Sequence, residues 1–177
     1  MAATAATSHD AQFVTLGIGE EVFAVPVDAV LEILDMRPMF RIPEAPGYLA
    51  GLIDVRGRGV PVIDLRLKLG LPAMPATETT RILVLEFALG GKPLVLGLVA
   101  DRVIEVISLD KRELQPAPEI GLKWRSDYIS AVGRRHDGFV IIFDLARLFS
   151  SSDVALIGAS SELAERSIKP EDGRDAA

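Results

Sequence analysis

The sequence contains no cysteine, only two histidines and few aromatic residues, which make up 6% of the chain. Without cysteine there is neither a disulfide framework nor a thiolate metal site, and two histidines alone cannot build a histidine-based metal site. No apolar run approaches the roughly 20 residues that span a bilayer. The net charge of −6 and the scarcity of aromatic rings disfavour nucleic-acid binding. We therefore expect a soluble cytoplasmic protein, without a cofactor, whose partners are proteins or small molecules.

The two ends of the chain are predicted to differ in structure. The start, "MAATAATSHDAQ", lacks a basic region and an apolar region, so it is not a secretory signal, and residues 1–11 are predicted to be a disordered tail. Near the other end, "SSSD" (150–153) offers N-cap residues for a helix over 154–168. Residues 161–177 are then the end of that helix and a charged tail.

Short apolar segments separated by turn residues predict strands over most of the chain. In the first half they are a hairpin (13–18 and 22–25), a helical turn with a strand (27–34), a proline-rich loop (37–47), a second hairpin (48–55 and 60–64) and a short helix (64–71). The loop 72–79 then connects to a second half with the same order of elements, including a second proline-rich loop (115–121).

The second half repeats individual residues of the first. "ADRVIEVI" (100–107) matches "VDAVLEIL" (27–34) at an offset of 73, so that Glu105 corresponds to Glu32. Tyr128 and Asp144 match Tyr48 and Asp64 at an offset of 80. Because the identities are few, a chance resemblance between two all-β segments stays open at this point.

Five strands in each half favour closure into a small barrel, because closure removes unpaired strand edges. Runs such as "LVLGLV" and "VIIF" are apolar at consecutive positions, which is typical of strands covered on both faces. The predicted fold is mainly β: two similar five-stranded barrels of SH3-like type packed together, with strands over roughly 13–71 and 81–149. Short helices connect the strands, and one helix follows near the C-terminus.

No motif for catalysis is present. The sequence has no G-x-S-x-G stretch, no phosphate-binding P-loop and no dinucleotide fingerprint. A carboxylate pair of the glycosidase type is conceivable among Glu32, Asp54, Glu86 and Glu105. Strand alternation places such residues towards solvent in any case, so we do not expect an enzyme.

The segment "GYLAGLIDVRGRGVPVIDLRLKLGL" (47–71) resembles the signature of the CheW family, the coupling proteins of bacterial chemotaxis. That signature has an Asn-x-Arg-Gly turn followed by a strand ending in Asp-Leu. Four further segments, "VFAVPVDAVLEIL", "LGLVADRVIEVISL", "LQPAPEIG" and "DYISAVG", stand in the family's order. The resemblance therefore covers roughly residues 12–160.

The resemblance implies two intertwined five-stranded barrels and a function without catalysis. Proteins of this family bridge the cytoplasmic tips of chemoreceptors to the regulatory domain of the histidine kinase CheA. We therefore expect a cytoplasmic adaptor that is recruited to membrane-associated receptor arrays, with no nucleic-acid partner and no insertion into the membrane. An adaptor of another chemosensory pathway, for example one controlling surface motility, is the alternative.

The resemblance also implies which residues contact partners. The motif arginine, Arg56, should lie near Glu32 beside the groove where a receptor tip docks, whereas Arg58 has no matched role. Gly51 and Gly57 serve either turn geometry and packing or close approach to a partner. The aliphatic residues at similar spacings are usually core, but some should line the groove; these are Val30, Ile33, Val99 and Val103.

Asp54 departs from the family pattern, which has asparagine at this position. On a strand, residues two apart share a face, so Asp54 could compete with Glu32 for the Arg56 guanidinium. We hypothesise that Asp54 joins a three-member cluster with Arg56 and Glu32 instead of anchoring the turn.

Overall fold

The computed structural model describes residues 10–116, 128–149 and 152–158. Ten strands account for most of them, joined by a turn of 3-10 helix at Val27–Ala29 and two short helices, α1 (Leu65–Lys68) and α2 (Leu145–Leu148). The strands are β1 (Asp10–Ile18), β2 (Glu21–Pro26), β3 (Val30–Asp35), β4 (Leu49–Val55), β5 (Arg58–Asp64), β6 (Arg81–Leu89), β7 (Lys92–Ala100), β8 (Arg102–Asp110), β9 (Ile129–Arg135) and β10 (Gly138–Phe143). The predicted mainly β fold is confirmed.

The strands form two five-stranded sheets. The first sheet has the order β8-β1-β2-β10-β9, and the second has the order β3-β6-β7-β5-β4. Each half of the chain supplies five strands, as the sequence indicates, but each sheet takes strands from both halves. The two sheets therefore differ from the contiguous segments 13–71 and 81–149, and the intertwined arrangement implied by the family resemblance is present. Periodicity shows where strands lie but not which strands pair.

The predicted repeat is confirmed by the pairing between the halves. Two strand pairs are parallel, β5 with β7 and β10 with β2. In the second sheet Val62 pairs with Gly97, and in the first sheet Ile142 pairs with Ala24. The offsets are again 80 and 73 residues, so the two halves make the same long-range contacts, and chance is no longer a sufficient explanation.

The hairpins that close each repeat also end alike. The Asp64 backbone nitrogen donates to the Tyr48 carbonyl oxygen at 2.7 Å, and the Asp144 nitrogen donates to the Tyr128 oxygen at 2.8 Å. Both aspartate side chains then accept a backbone N–H three residues later, which caps α1 and α2. The residues that match in sequence at these positions therefore make the same hydrogen bonds in both halves.

A single apolar cluster joins the two sheets. It contains Leu16 and Phe23 from the first sheet together with Leu83 and Leu98 from the second. The Phe23 ring stacks on Phe143 with 4.8 Å between the ring centroids. Smaller clusters fill the remaining interior of each sheet. Because the barrels share their main core, burial in one depends on the presence of the other.

One ion pair fixes the crossing from β7 to β8, where the chain passes from the second sheet to the first. Asp101 lies at this crossing, and its carboxylate accepts hydrogen bonds from the Arg66 guanidinium, with 2.8 Å from Nε to Oδ1. The same carboxylate accepts the Gly19 N–H at 2.7 Å from the β1–β2 turn. The Arg66 hydrogen bonds hold the pKa of Asp101 below its ordinary value. Asp101 therefore links elements of both sheets.

The chain ends differ in part from expectation. β1 begins at Asp10, so residues 10 and 11 of the predicted tail are strand and pair with β8. Residues 152–158 are helical, in agreement with the start of the predicted helix. The remainder of that helix, the charged tail, residues 1–9 and most of the second proline-rich loop lie outside the described residues.

Buried polar contacts hold the C-terminal helix (152–158). Asp153 is 4% exposed, lies 2.6 Å from Lys68 Nζ and accepts a hydrogen bond from the Tyr48 hydroxyl. Burial and the contact with Asp153 raise the pKa of Tyr48 to about 12. Ile157, one turn further, is fully buried in the shared core. The helix is therefore part of the folded unit.

We predict that Asp101→Asn lowers the free energy of unfolding by about 1–3 kcal/mol, because the charge-assisted hydrogen bonds to Arg66 and Gly19 are weakened. The folded pKa lies below the unfolded value of about 3.9. The contribution is therefore complete above about pH 5 and is lost as the pH falls through the folded pKa. Urea unfolding across this range should show the difference from wild type shrinking below about pH 4.

Asp35→Asn is the matched control, because Asp35 is 86% exposed in its ion pair with Arg81. It should change the free energy of unfolding by no more than about 0.5 kcal/mol. Equal effects of the two substitutions at neutral pH would show that Asp101 does not link the sheets.

Candidate functional site

The turn between β4 and β5 places an arginine in a backbone conformation that disfavours it. Val55 pairs with Arg58, so Arg56 and Gly57 form a two-residue loop. Their φ angles are +55° and +80°, as a type I′ turn requires. Asparagine or glycine normally fills the first of these positions, and other residues adopt positive φ at a cost of about 1 kcal/mol or more. The arginine therefore does not stabilise the turn.

The structure brings Arg56 and Glu32 together, as the resemblance implies. Arg56 Nη2 lies 3.4 Å from Glu32 Oε2, with the Arg56 side chain 86% exposed and that of Glu32 25% exposed. Glu32 belongs to β3, and Arg56 follows β4, so they come from opposite ends of the second sheet's strand order. The contact shows that this sheet curls until its ends meet.

The hypothesis of a three-member cluster is wrong. Asp54 Oδ1 accepts the Gly57 backbone N–H at 2.7 Å, and no ion pair joins Asp54 to Arg56 within the described ranges. Asp54 is thus the turn anchor that the hypothesis excluded. The reason is geometric: the left-handed turn carries Gly57 N–H back over the strand end, where a nearby acceptor is needed. Aspartate and asparagine both supply that acceptor.

Gly51 has a packing role. It is buried, its φ is +151°, and a Cβ there would lie 2.5 Å from the Phe40 carbonyl oxygen. The missing side chain lets the Phe40 segment pair with Leu52 through hydrogen bonds of 2.9 and 2.8 Å. Gly57 is exposed and serves the turn. Both glycines are explained by backbone geometry, and close approach to a partner stays a prediction for Gly57.

Two of the four aliphatic candidates line one groove between the sheets. Ile33 of β3 is 44% exposed, and Val103 of β8 is half-buried; Ile104, 37% exposed, joins them. We call this surface the inter-sheet groove. Val30 packs against the shared core, and Val99 packs against the separate cluster of the second sheet. Neither Val30 nor Val99 lines the inter-sheet groove.

Charged side chains of both signs border the inter-sheet groove. Arg135 Nη2 lies 2.9 Å from Glu105, the residue that matches Glu32 in the repeat. The Arg135 side chain is only 6% exposed, whereas Arg56 is largely exposed. Glu20, Arg81, Arg102 and Asp137 complete the border. The groove thus has an apolar floor and a mixed polar rim, which is typical of a protein-binding surface.

Sequence reasoning missed further exposed apolar residues on the repeat's equivalent strands. Leu31 on β3 is 54% exposed, and Val106 on β8 is 57% exposed. Leu31 matches Ile104 and Ile33 matches Val106 at the offset of 73. The offset could have identified them, since an aliphatic residue at an outward position in both halves is unusual for solvent-facing strands.

No cluster of three or more His, Asp or Glu residues that could hold a metal ion occurs in residues 10–116, 128–149 and 152–158. Within the same ranges, none of the helices has the length and apolar character needed to cross a membrane.

We predict that Asp54→Ala lowers the free energy of unfolding by about 0.5–1.5 kcal/mol, because the Gly57 N–H loses its acceptor. Asp54→Asn keeps that acceptor and should stay within about 0.5 kcal/mol of wild type. Thermal or urea unfolding of both variants measures the difference. If alanine is tolerated as well as asparagine, the side chain of residue 54 does not anchor the turn.

Several proteins similar to this chain are named chemotaxis proteins. The chain is 31% identical over 146 residues to the chemotaxis protein CheW of Klebsiella aerogenes, covering 82% of this chain and 86% of that protein. It is 34% identical over 131 residues to CheW of Helicobacter pylori, covering 74% and 76%. Protein FrzA of Myxococcus xanthus is 28% identical over 107 residues, covering 60% and 64%.

The fold agrees with a solved structure. The scaffolding protein CheW of Thermoanaerobacter tengcongensis superposes with a TM-score of 0.71 at 27% identity, covering 81% of this chain and 90% of that one. The family model for the CheW-like domain matches residues 12–153, which include both sheets and the beginning of the C-terminal helix. The chain is therefore a member of the CheW family, whose proteins are adaptors and scaffolds of chemotaxis.

Proposed function

We propose that this protein couples chemoreceptors to the histidine kinase CheA without catalysing a reaction. The observation that carries the proposal is Arg56, an exposed arginine held in a left-handed turn beside Glu32. An exposed ion pair contributes only about 0–1 kcal/mol to folding, which does not repay the backbone strain. Strain retained at a surface position of this kind indicates a binding role.

The inter-sheet groove supports a receptor tip as one partner. Chemoreceptor tips are helical, and a docked helix needs an apolar surface for its own apolar stripe. Ile33, Val103 and Ile104 supply such a surface. The nearby charges of Arg81, Arg102 and Asp137 would select helices with complementary polar residues along their flanks.

The regulatory domain of the kinase is the second proposed partner. Apart from the groove, the first sheet exposes Val106 on β8 and Phe139 on β10, the latter 63% exposed and packed under the Arg134 guanidinium. Exposed aromatic and aliphatic residues of this kind are enriched in protein interfaces. Phe139, which does not line the inter-sheet groove, gives the protein an apolar contact for a second partner, which is what an adaptor requires.

Association with receptors would recruit the protein to membrane-associated arrays without insertion into the bilayer. A related role in another chemosensory pathway is the alternative. The similarity to protein FrzA supports testing it. Co-purification of the protein from its own cells, followed by identification of the bound kinase, separates the two pathways. Recovery of a kinase other than the chemotaxis kinase would favour the alternative.

We predict that Arg56→Asn separates stability from binding. Asparagine suits the first position of a type I′ turn followed by glycine, so the free energy of unfolding should rise by about 0.5–1 kcal/mol. Binding to receptor cytoplasmic fragments should weaken, because the guanidinium is lost. Arg58→Asn, an exposed arginine two residues away, is the control and should leave binding unchanged. Sedimentation with receptor fragments and urea unfolding are the measurements.

Glu32→Ala tests whether the two residues act as a pair. If they do, the loss of receptor binding in the Glu32→Ala, Arg56→Asn double variant should be smaller than the sum of the single losses. Full additivity would mean that they bind independently. Unchanged binding in both single variants would contradict the proposed receptor surface.

A further inference from the structure

A second pocket, remote from Arg56, is lined by methionine and arginine side chains. Met36, Met39 and Met74 surround it, with Arg37 and Arg41 at its border. We call this surface the methionine pocket. The chain has four methionines, so every methionine except Met1 lies here. Methionine is flexible and polarizable, and clusters of it are typical of surfaces that accept varied apolar side chains.

The methionine side chains of the pocket differ in how far they are buried. Met36 and Met39 are half-buried against the apolar cluster of the second sheet. Met74, in the loop before β6, is 58% exposed. The backbone between Met39 and Arg41 is fixed by the pairing of Phe40 with Leu52. Exposed apolar side chains on a fixed backbone are available for a partner without large rearrangement.

The charges at the methionine pocket are not balanced. Asp101 and Arg66 also line it but bind each other, and Asp64 caps α1 by accepting the Leu67 N–H. Arg37 and Arg41 are exposed, and neither forms an ion pair with any residue in the described part of the chain. Two guanidinium groups without an ion pair in the described residues thus border a pocket that contains three methionines, in a chain whose net charge is −6.

We propose that the methionine pocket is a docking surface for a short acidic peptide segment with an apolar anchor residue, supplied by a partner protein. Carboxylates suit the two arginines, because guanidinium groups bind them through paired hydrogen bonds. An aliphatic or aromatic anchor suits the methionines. Two arginines without ion-pair partners in the described residues suit a short acidic segment. A long polyanion would be repelled by the negative net charge of the whole chain.

The methionine pocket lies away from the Arg56 hairpin, although its residues Thr80 and Asp101 are chain neighbours of Arg81 and Arg102 on the border of the inter-sheet groove. Ala50 of β4 lines the methionine pocket, and Val55 of the same strand lies beside Arg56. Five residues along a strand span about 16 Å. The methionine pocket can therefore be occupied without contact with the Arg56 hairpin, and the proposal does not depend on the identity of the receptor or kinase.

Methionine-methyl NMR of the full chain tests the proposal directly, because three of the four signals come from the pocket. The probe is the peptide acetyl-Glu-Glu-Leu-Phe-Glu-Glu-amide, and the comparison peptide has lysine in place of each glutamate. Met36→Leu, Met39→Leu and Met74→Leu assign the signals. The acidic peptide should shift the three pocket signals but not Met1, and added salt should weaken its binding.

The double variant Arg37→Glu, Arg41→Glu should lower the affinity for the acidic peptide by roughly tenfold or more. The matched control, Arg58→Glu with Arg134→Glu, makes the same change in charge at two exposed arginines elsewhere and should bind like wild type. The absence of pocket shifts, equal binding of the basic peptide, or equal losses in both double variants would overturn the proposal.

Binding of receptor fragments and of the kinase regulatory domain to the Arg37→Glu, Arg41→Glu variant completes the test. Both should be retained. Loss of either binding would show that the methionine pocket belongs to the adaptor's main docking surface, and it would overturn the proposal of an additional site. The receptor proposal is tested independently by the binding of the Arg56→Asn variant to receptor fragments.

Discussion

Two parallel strand pairs hold this fold together, β5 with β7 and β10 with β2. Each pair joins strands from different halves of the chain, so neither sheet is complete within one half. The shared core follows from this exchange, since strands that cross between sheets carry their apolar residues with them. Parallel pairs are formed between distant segments, so the chain must close long loops before the core can form. Asp101 stabilises the crossing from β7 to β8, where the chain leaves the second sheet.

The candidate site is a consequence of the same exchange. β3 and β8 occupy equivalent places in the two sheets, each at one end of its strand order. The crossings that precede them, at Val27–Ala29 and at Asp101, turn these strands so that Ile33 and Val103 line a common groove. The residues of this apolar surface therefore belong to strands that also build the two sheets. The surface can be exposed while the core beneath it stays stable.

The two repeats have kept their backbone contacts while their surfaces have diverged. Arg56 corresponds to His136 at the offset of 80, and Arg135 corresponds to Val55. Glu32 and Glu105 are equivalent, yet the first is bound by an arginine in the turn and the second by an arginine at the strand end. Arg56 lies in the two-residue turn, whereas Arg135 is the last residue of β9. One arginine is consequently exposed and the other buried, and only the first is available to a partner.

The sequence by itself determined the strands, the turns and the repeat, because side-chain alternation and glycine placement act over a few residues. It also placed Arg56 beside Glu32 through the likeness of its motif to a known family. Tertiary structure decided which strands pair, which of the aliphatic residues face the groove and what Asp54 binds. A carboxylate can accept from a guanidinium or from a backbone amide with similar ease. The choice between them depends on the left-handed turn that brings Gly57 N–H within 2.7 Å, and that geometry exists only after the hairpin has formed.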